Sequence, residues 1–331
     1  MVVGVLELAR RLSRRPNVTI AAALTTAAAG ALALFTGSRS AHAEDATADR
    51  AELAERCSVR LSMALLGESP DEDLLANPDP QSEVDAMIKT PTFRQRFASF
   101  INSELSGTPS DSASNDPVYH LAHYVLTQNK PWSELFVGKY SVAPSTSGMN
   151  VTVDPNGVGY FRTPTWRRKF AGNDEEGTML VAAFRIVQNT TGLTLTPSVG
   201  NAGEDRSLEG RRAPACKGCH FDAWYALDTV ANLLPKREGE GDNMTFKAPT
   251  AGPQKLLGKT IADDKAFIQE LVASDAWKFN QCRRVFRFLY GRDENKCEAK
   301  VFDACVDALT EKKTIQAAVA TVAKDPSFCT N

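Results

Sequence analysis

Apolar residues recur every three or four positions along most of the chain, the spacing of one face of a helix. Between residues 44 and 107, Leu53, Cys57, Leu61, Ala64 and Leu65 keep that spacing until Gly67 stops the run, and Pro70-Asp71-Glu72-Asp73 reads as the first turn of another helix. Met87, Ile88, Phe93, Phe97, Phe100 and Ile101 continue the pattern across a break at Thr90-Pro91. A polar stretch from Gly107 to Asp116 predicts a linker, and a helix follows around Pro117 to Gln128. Further helices are predicted over Gly177 to Val187 and over Asp222 to Leu234, where Ala223, Ala226, Leu227, Val230 and Leu233 share a face. The last 75 residues predict four more: Lys265 to Ser274, Trp277 to Leu289, Glu298 to Leu309 and Thr314 to Val322.

The middle departs from this pattern. Tyr140 to Phe161 mixes Ser, Gly, Asn and Pro with the short alternation Val151-Thr152-Val153, which predicts a loop or small hairpin. Pro235 to Pro253 reads as a polar, charged, Gly-containing loop. One arrangement recurs at helix ends, in Met87 to Phe93, Leu271 to Trp277 and Thr321 to Phe328: an apolar end, a polar turn and an aromatic plug, as in repeated packing of helix pairs. The expected fold is mainly α, with a small irregular or hairpin region in the middle. Its segments are expected to be 1–43, a signal; 44–145, an N-terminal helical module; 146–257, a middle module; and 258–331, a C-terminal helical module.

Composition sharpens the middle module. The 331 residues hold 7 Cys and 4 His, and Cys216-Lys217-Gly218-Cys219-His220 concentrates three of them in the Cys-x-x-Cys-His pattern of covalent haem c attachment. Two thiols three positions apart can each bond one porphyrin vinyl group, which brings the adjacent His220 to the iron as an axial ligand. The competing readings are weaker. A zinc half-site needs a second pair, and the other close one, His120-x-x-His123, lies far upstream; a redox dithiol belongs at a strand end, whereas the loop-like run from Glu209 to Ala215 precedes Cys216. The helical modules are therefore expected to surround one covalent haem c.

Haem c is attached on the far side of an energy-transducing membrane, so an export signal is expected. Arg10, Arg11, Arg14 and Arg15 precede the Ala- and Leu-rich run from Ile20 to Phe35, and Ala41-His42-Ala43 fits a cleavage site, which predicts a periplasmic or otherwise exported protein beginning at Glu44 with no stable membrane span. Removing residues 1–43 leaves 33 basic and 39 acidic residues. An acidic surface favours a basic redox partner and argues against nucleic acid. In an oxidising compartment the five other cysteines should form two disulfides and leave one over. The expected pairs are Cys282 with Cys297 and Cys305 with Cys329, with Cys57 free or otherwise paired.

What the iron does depends on its second axial ligand. Met244 is the single Met or His downstream of His220 and is a candidate; His120 and His123, three apart on one helix face, are the alternatives. Met63, Met87 and Met179 lie on apolar faces and read as core. Arg211 and Arg212 beside the motif are candidates to pair with haem propionates, and Trp224 to line the haem edge. With no side chain in the second position, the iron would be open to a small oxidant and a peroxidase-like reaction.

Several of these segments carry a family resemblance. Arg60-Leu61-Ser62-Met63-Ala64-Leu65-Leu66-Gly67, Ser69-Pro70-Asp71 and Leu74-Leu75, followed by Val125-Leu126, Lys130 to Phe136 and Tyr140, resemble one module of the large haem c proteins built from domains of unknown function, described chiefly in planctomycetes and myxobacteria. Cys216 to His220 with Phe221-Asp222 and Ala226-Leu227 resembles the haem segment of the next module, and Leu271 to Arg292 the closing one. The resemblance implies an exported, mostly helical haem c protein. It departs after the haem histidine, where Phe221-Asp222-Ala223-Trp224-Tyr225 replaces an Ile-Asp-Pro-Leu-Gly-like stretch. No segment matches the amino-terminal cytochrome domains of larger members, so one haem is expected. The expected function is electron transfer; the alternatives are a haem enzyme with an open or labile distal site and a structural haem protein.

Overall fold

A computed structural model describes residues 39–108, 116–145, 148–195, 203, 205–222 and 225–330. The basic and apolar parts of the expected signal, most of the predicted linker and Trp224 lie outside the described residues. Helix α1 (Arg39–Leu61) includes the expected cleavage site and runs into a π-helical turn, Ser62–Leu66. Gly67 ends it at φ 76, where its N–H bonds to the Ser62 carbonyl. A Cβ there would strike the guanidinium of Arg96, which itself donates to the Met63 and Ala64 carbonyls, so glycine suits both the left-handed backbone and the close approach.

The N-terminal half continues with α2 (Glu72–Ala76), a 3-10 turn at Pro80–Glu83, α3 (Val84–Met87), α4 (Pro91–Leu105), α5 (Pro117–Thr127) and α6 (Glu134–Val137). Strands β1 (Tyr140–Ser145) and β2 (Gly148–Val153) form the predicted hairpin, with Tyr140 opposite Val153. Then come α7 (Pro164–Lys169), α8 (Leu180–Thr191), α9 (Leu208–Arg211), α10 (Pro214–His220) and α11 (Leu227–Ala231). Two three-residue hairpins follow, β3 (Lys236–Glu238) with β4 (Thr245–Lys247) and β5 (Gln254–Leu256) with β6 (Lys259–Ile261). The chain closes with α12 (Asp264–Val272), α13 (Asp275–Tyr290), α14 (Ala299–Lys312), α15 (Ile315–Ala323) and α16 (Pro326–Thr330). At 59% helix and 9% strand, against about a third helix in ordinary domains, the fold is mainly α. Among the described residues no helix is long and apolar enough to cross a membrane.

Caps explain the boundaries. Asp71 accepts from the Leu74 N–H, Thr90 from that of Phe93 and Ser274 from that of Trp277, so each side chain satisfies a first-turn donor. In the last two the donor belongs to the aromatic plug, which is buried, as is Phe328 of the third recurrence. The recurrence is thus a way of starting a helix on a capping residue while driving an aromatic ring into the core.

Local signals misjudged three places. Glu209 to Ala215 is not a loop but the end of α9 and the start of α10, where Pro214 takes the first helical turn that suits its missing N–H. Among the described residues, the helix predicted over Asp222 to Leu234 covers Leu227–Ala231, and Ala226 adopts a left-handed conformation, φ 37, immediately before it. Within Pro235 to Pro253, polar residues pair as β3 and β4.

Residues 48–331 form one compact unit, and its core draws side chains from all three expected modules. Phe97 lies at the centre of an aromatic cluster with Phe93, Phe100, Trp132 and Phe288, ring centroids 4.8 to 6.1 Å away. A polar network crosses the same core: Asn189 donates to the Leu105 carbonyl, Asn280 to that of Thr190, and Arg284 to that of Asn189. Burial pushes the Arg284 guanidinium down to about 10, against the attraction of Tyr160 and Glu104.

There are two disulfides, but not between the expected partners. Cys57 of α1 bonds Cys329 of α16, and Cys282 of α13 bonds Cys305 of α14; Cys297 is exposed and unpaired. Proximity in sequence favoured Cys297 as the partner of Cys282. Cys297 itself faces water, while Cys305 lies on the buried face of α14.

That turn makes a pH prediction. Arg292 donates two hydrogen bonds to buried Glu298, and the Asn295 N–H donates a third. The Arg292 contact holds the Glu298 carboxyl below its ordinary value, with burial opposing and the Asn295 N–H assisting. A carboxylate with a lowered folded-state pKa adds stability above the ordinary 4.5, and that stability is lost as pH falls through the lower folded value. Glu298→Gln is expected to cost about 1 kcal/mol at pH 7. Below pH 4.5 urea titrations of wild type and variant should converge; parallel curves down to pH 3 would contradict this.

Candidate functional site

Helix α10 places Cys216, Cys219 and His220 at positions i, i+3 and i+4, hence on one side. The helix buries none of its residues, and it packs against α9 and α11. Cys216 is half-buried, Cys219 exposed, and neither thiol is in a disulfide. A Cβ at Gly218 would meet nothing within 4 Å, so the side of the helix turned away from Cys216 and His220 is open.

His220 is fixed from behind. Its Nδ1 lies 2.7 Å from Oδ2 of Asp228, whose side chain is 4% exposed against 24% for the imidazole. Ala226 brings Asp228 there, because its left-handed turn starts α11 so that the first helical turn faces α10. The other oxygen, Oδ1, takes Arg211 at 3.0 Å from both Nε and Nη2. Arg211 also donates from Nη1 to Asp174 at 3.0 Å and to the Arg206 carbonyl at 2.6 Å. Burial opposes the charge on Arg211, but the Asp228 hydrogen bond, with attraction to Asp228, Asp174 and Glu176, outweighs it and raises the pKa. Asp174, Arg211, Asp228 and His220 thus form one connected chain. Among the described residues His220 Nε2 makes no hydrogen bond.

A cleft of about 740 Å3 opens beside this chain. Cys216 and His220 line it together with the acidic loop at Asp174 to Glu176 and the apolar Leu180 and Val181 of α8. Its volume falls within the range of sites that hold a cofactor-sized molecule.

The other candidates are placed unequally. Arg211 lines the cleft, but its guanidinium is already engaged by two carboxylates. Arg212 lies over the Phe221 ring at 5.5 Å. Met244 follows a 3-10 turn, Gly241–Asn243, and is half-buried at the core edge. Its hairpin is fastened to the cleft loop by Arg237, whose N–H donates to the Gly177 carbonyl and whose Nη2 donates to that of Asp174, yet Met244 does not line the cleft. Neither do His120 and His123, which lie on α5 beside Tyr119 at 5.2 and 6.1 Å between ring centroids. Partial burial, then the charges of Arg94 and His120, lower the His123 pKa. Among the described residues no group of three or more His, Cys, Asp or Glu is arranged to hold a metal ion, so no second half completes a zinc site with the thiols.

Sequence reasoning missed Asp228 and Asp174. Asp228 follows His220 by eight residues, but the left-handed conformation of Ala226 puts its placement beyond any periodic signal.

Fold and site together define a mainly helical protein with an exposed Cys-x-x-Cys-His helix at the edge of a cleft. Comparison with family models, with curated proteins and with solved structures finds no match for the chain. The donor set fits haem c: two unpaired thiols on one side of a helix, and an imidazole anchored at Nδ1 with Nε2 unengaged among the described residues.

Proposed function

We propose that the chain is an exported, single-haem c-type cytochrome acting in electron transfer, akin to the haem c proteins it resembles in sequence. Cys216 and Cys219 would hold the haem by thioether bonds, with His220 as proximal ligand. The observation that supports this best is the anchored His220, which shares a helix and a cleft with Cys216. Bound there, haem would supply one-electron exchange between ferric and ferrous iron. The excess of acidic residues favours a basic redox partner.

One observation favours a second reading, a haem enzyme with an open distal site: among the described residues, no His or Met other than His220 lines the cleft. Met244 is then decisive. A carrier with Met ligation should show a sulfur-to-iron charge-transfer band that Met244→Ala abolishes. A high-spin ferric spectrum with fast cyanide binding would support the enzyme.

The primary test is production in a host that matures haem c. One covalent haem per chain is expected to survive acid-acetone extraction, and none in Cys216→Ala/Cys219→Ala. Wild-type protein that loses all haem on extraction would end the proposal.

A further inference from the structure

We propose that Asp228 is the positioning residue of His220, and that the chain Asp174, Arg211, Asp228 keeps His220 an electron-rich ligand and so holds the haem at a low potential. This rests on the haem reading above and adds the regulation of that same site.

The division of labour at Asp228 carries the argument. An ion pair with Arg211 would need only Oδ1, which both Nε and Nη2 approach at 3.0 Å. Oδ2 is left for the imidazole at 2.7 Å, closer than its 3.2 Å to Arg211 Nε. A carboxylate can only accept, so neutral His220 must carry its proton on Nδ1, and the lone pair on Nε2 is kept for a metal. An exposed histidine without such a partner exchanges tautomers and rotates. His220 does neither freely, because Asp228 is buried and held by Arg211, itself 6% exposed.

Charge then sets the direction. Two carboxylates, Asp174 and Asp228, share one guanidinium, so the chain behind His220 carries a net negative charge in a largely dry setting. A strong hydrogen bond from Nδ1–H to an anion transfers electron density to the ring and strengthens Nε2 as a donor. Ferric iron gains more from that donor than ferrous iron does. The potential therefore falls, as it does when hydrogen bonding and axial-ligand strength favour the oxidised state. Arg211 is the counterweight: it takes Oδ1 of Asp228 and, by leaning on Asp174, leaves Oδ2 for His220.

The test uses haem-loaded, full-length protein and reads attachment and potential separately. Asp228→Asn keeps the shape of the side chain and removes its charge. Haem attachment should remain at one per chain, and the midpoint potential should rise by at least about 59 mV, a tenfold change in the ferric-to-ferrous ratio at fixed poise. Asp228→Glu, which restores the charge, should recover part of that shift. Asp174→Asn, at the far end of the chain, should produce a smaller rise in the same direction while leaving the Asp228 contact in place. A purely structural Asp228 would lose thermal stability without a consistent sign of change in potential across the three variants. Unchanged potentials in Asp228→Asn and Asp174→Asn would overturn the proposal. If Asp228→Asn does not accumulate, an unchanged Asp174→Asn does so alone. Failure of the haem reading would instead show as wild-type protein without covalent haem.

Discussion

Replacing Cys57 and Cys329 together by Ala is expected to lower the unfolding free energy by about 5 kcal/mol, near the top of the range for a single disulfide. These cysteines lie 272 positions apart, so their bond closes nearly the whole described chain into a loop. The restriction it places on the unfolded state grows with the logarithm of loop length. The same relation gives about 3 kcal/mol for Cys282 and Cys305, which are separated by 23. Both of those residues are fully buried, so their Ala variant also loses packing, but in a helix pair that stays together through its own apolar faces. Urea denaturation of the two double variants, with disulfide-intact wild type as reference, measures the difference. A larger loss from the short loop than from the long one would show that local packing outweighs chain restriction.

Trp132→Ala is expected to cost about 4 kcal/mol, by loss of buried area and the cavity left behind. Trp132 is fully buried in the turn before α6, and three distant segments meet on it. Its ring lies edge-on to Phe97 of α4 at 5.8 Å, its Nε1–H donates to Gln281 of α13 at 3.0 Å, and its backbone N–H donates to the Lys313 carbonyl after α14 at 2.7 Å. The backbone bond survives substitution. Trp132→Phe should cost only about 1 to 2 kcal/mol. It keeps most of the ring contact, and the Gln281 oxygen retains Arg284 Nη1 at 3.1 Å. Far-ultraviolet circular dichroism in urea separates the two. Equal losses would assign the effect to the indole hydrogen bond rather than to packing.

Most helices were legible because their signals are local. Thr90-Pro91 and Ser274-Asp275 each combine a capping oxygen with a first-turn residue suited to a helix start, and the apolar spacing behind them does the rest. The Cys216 to His220 pattern was legible because five consecutive residues carry it, although the helix that holds it was not. Short elements were not. The pairing of β3 with β4 rests on residues such as Lys236 and Lys247 that carry no apolar alternation, and the helices flanking Arg212 span four and seven residues. Ala226 shows the limit most clearly. Nothing about an alanine announces φ 37, and it is this turn that delivers Asp228 to His220.

The sequence by itself determined the mainly helical class, the long helices with their caps, the Cys-x-x-Cys-His spacing, and the formation of two disulfides among the five remaining cysteines. Only the tertiary structure decided which cysteines pair, that Arg211 turns inward to Asp174 and Asp228, that Asp228 stands behind His220, and that Trp132 meets α13. The physical reason is range. Helical hydrogen bonds and caps join residues three or four apart, so any short stretch contains its own instructions. A bond across 272 positions, or one from Trp132 to Gln281 across 149, exists only after apolar faces from the whole chain have packed into one core.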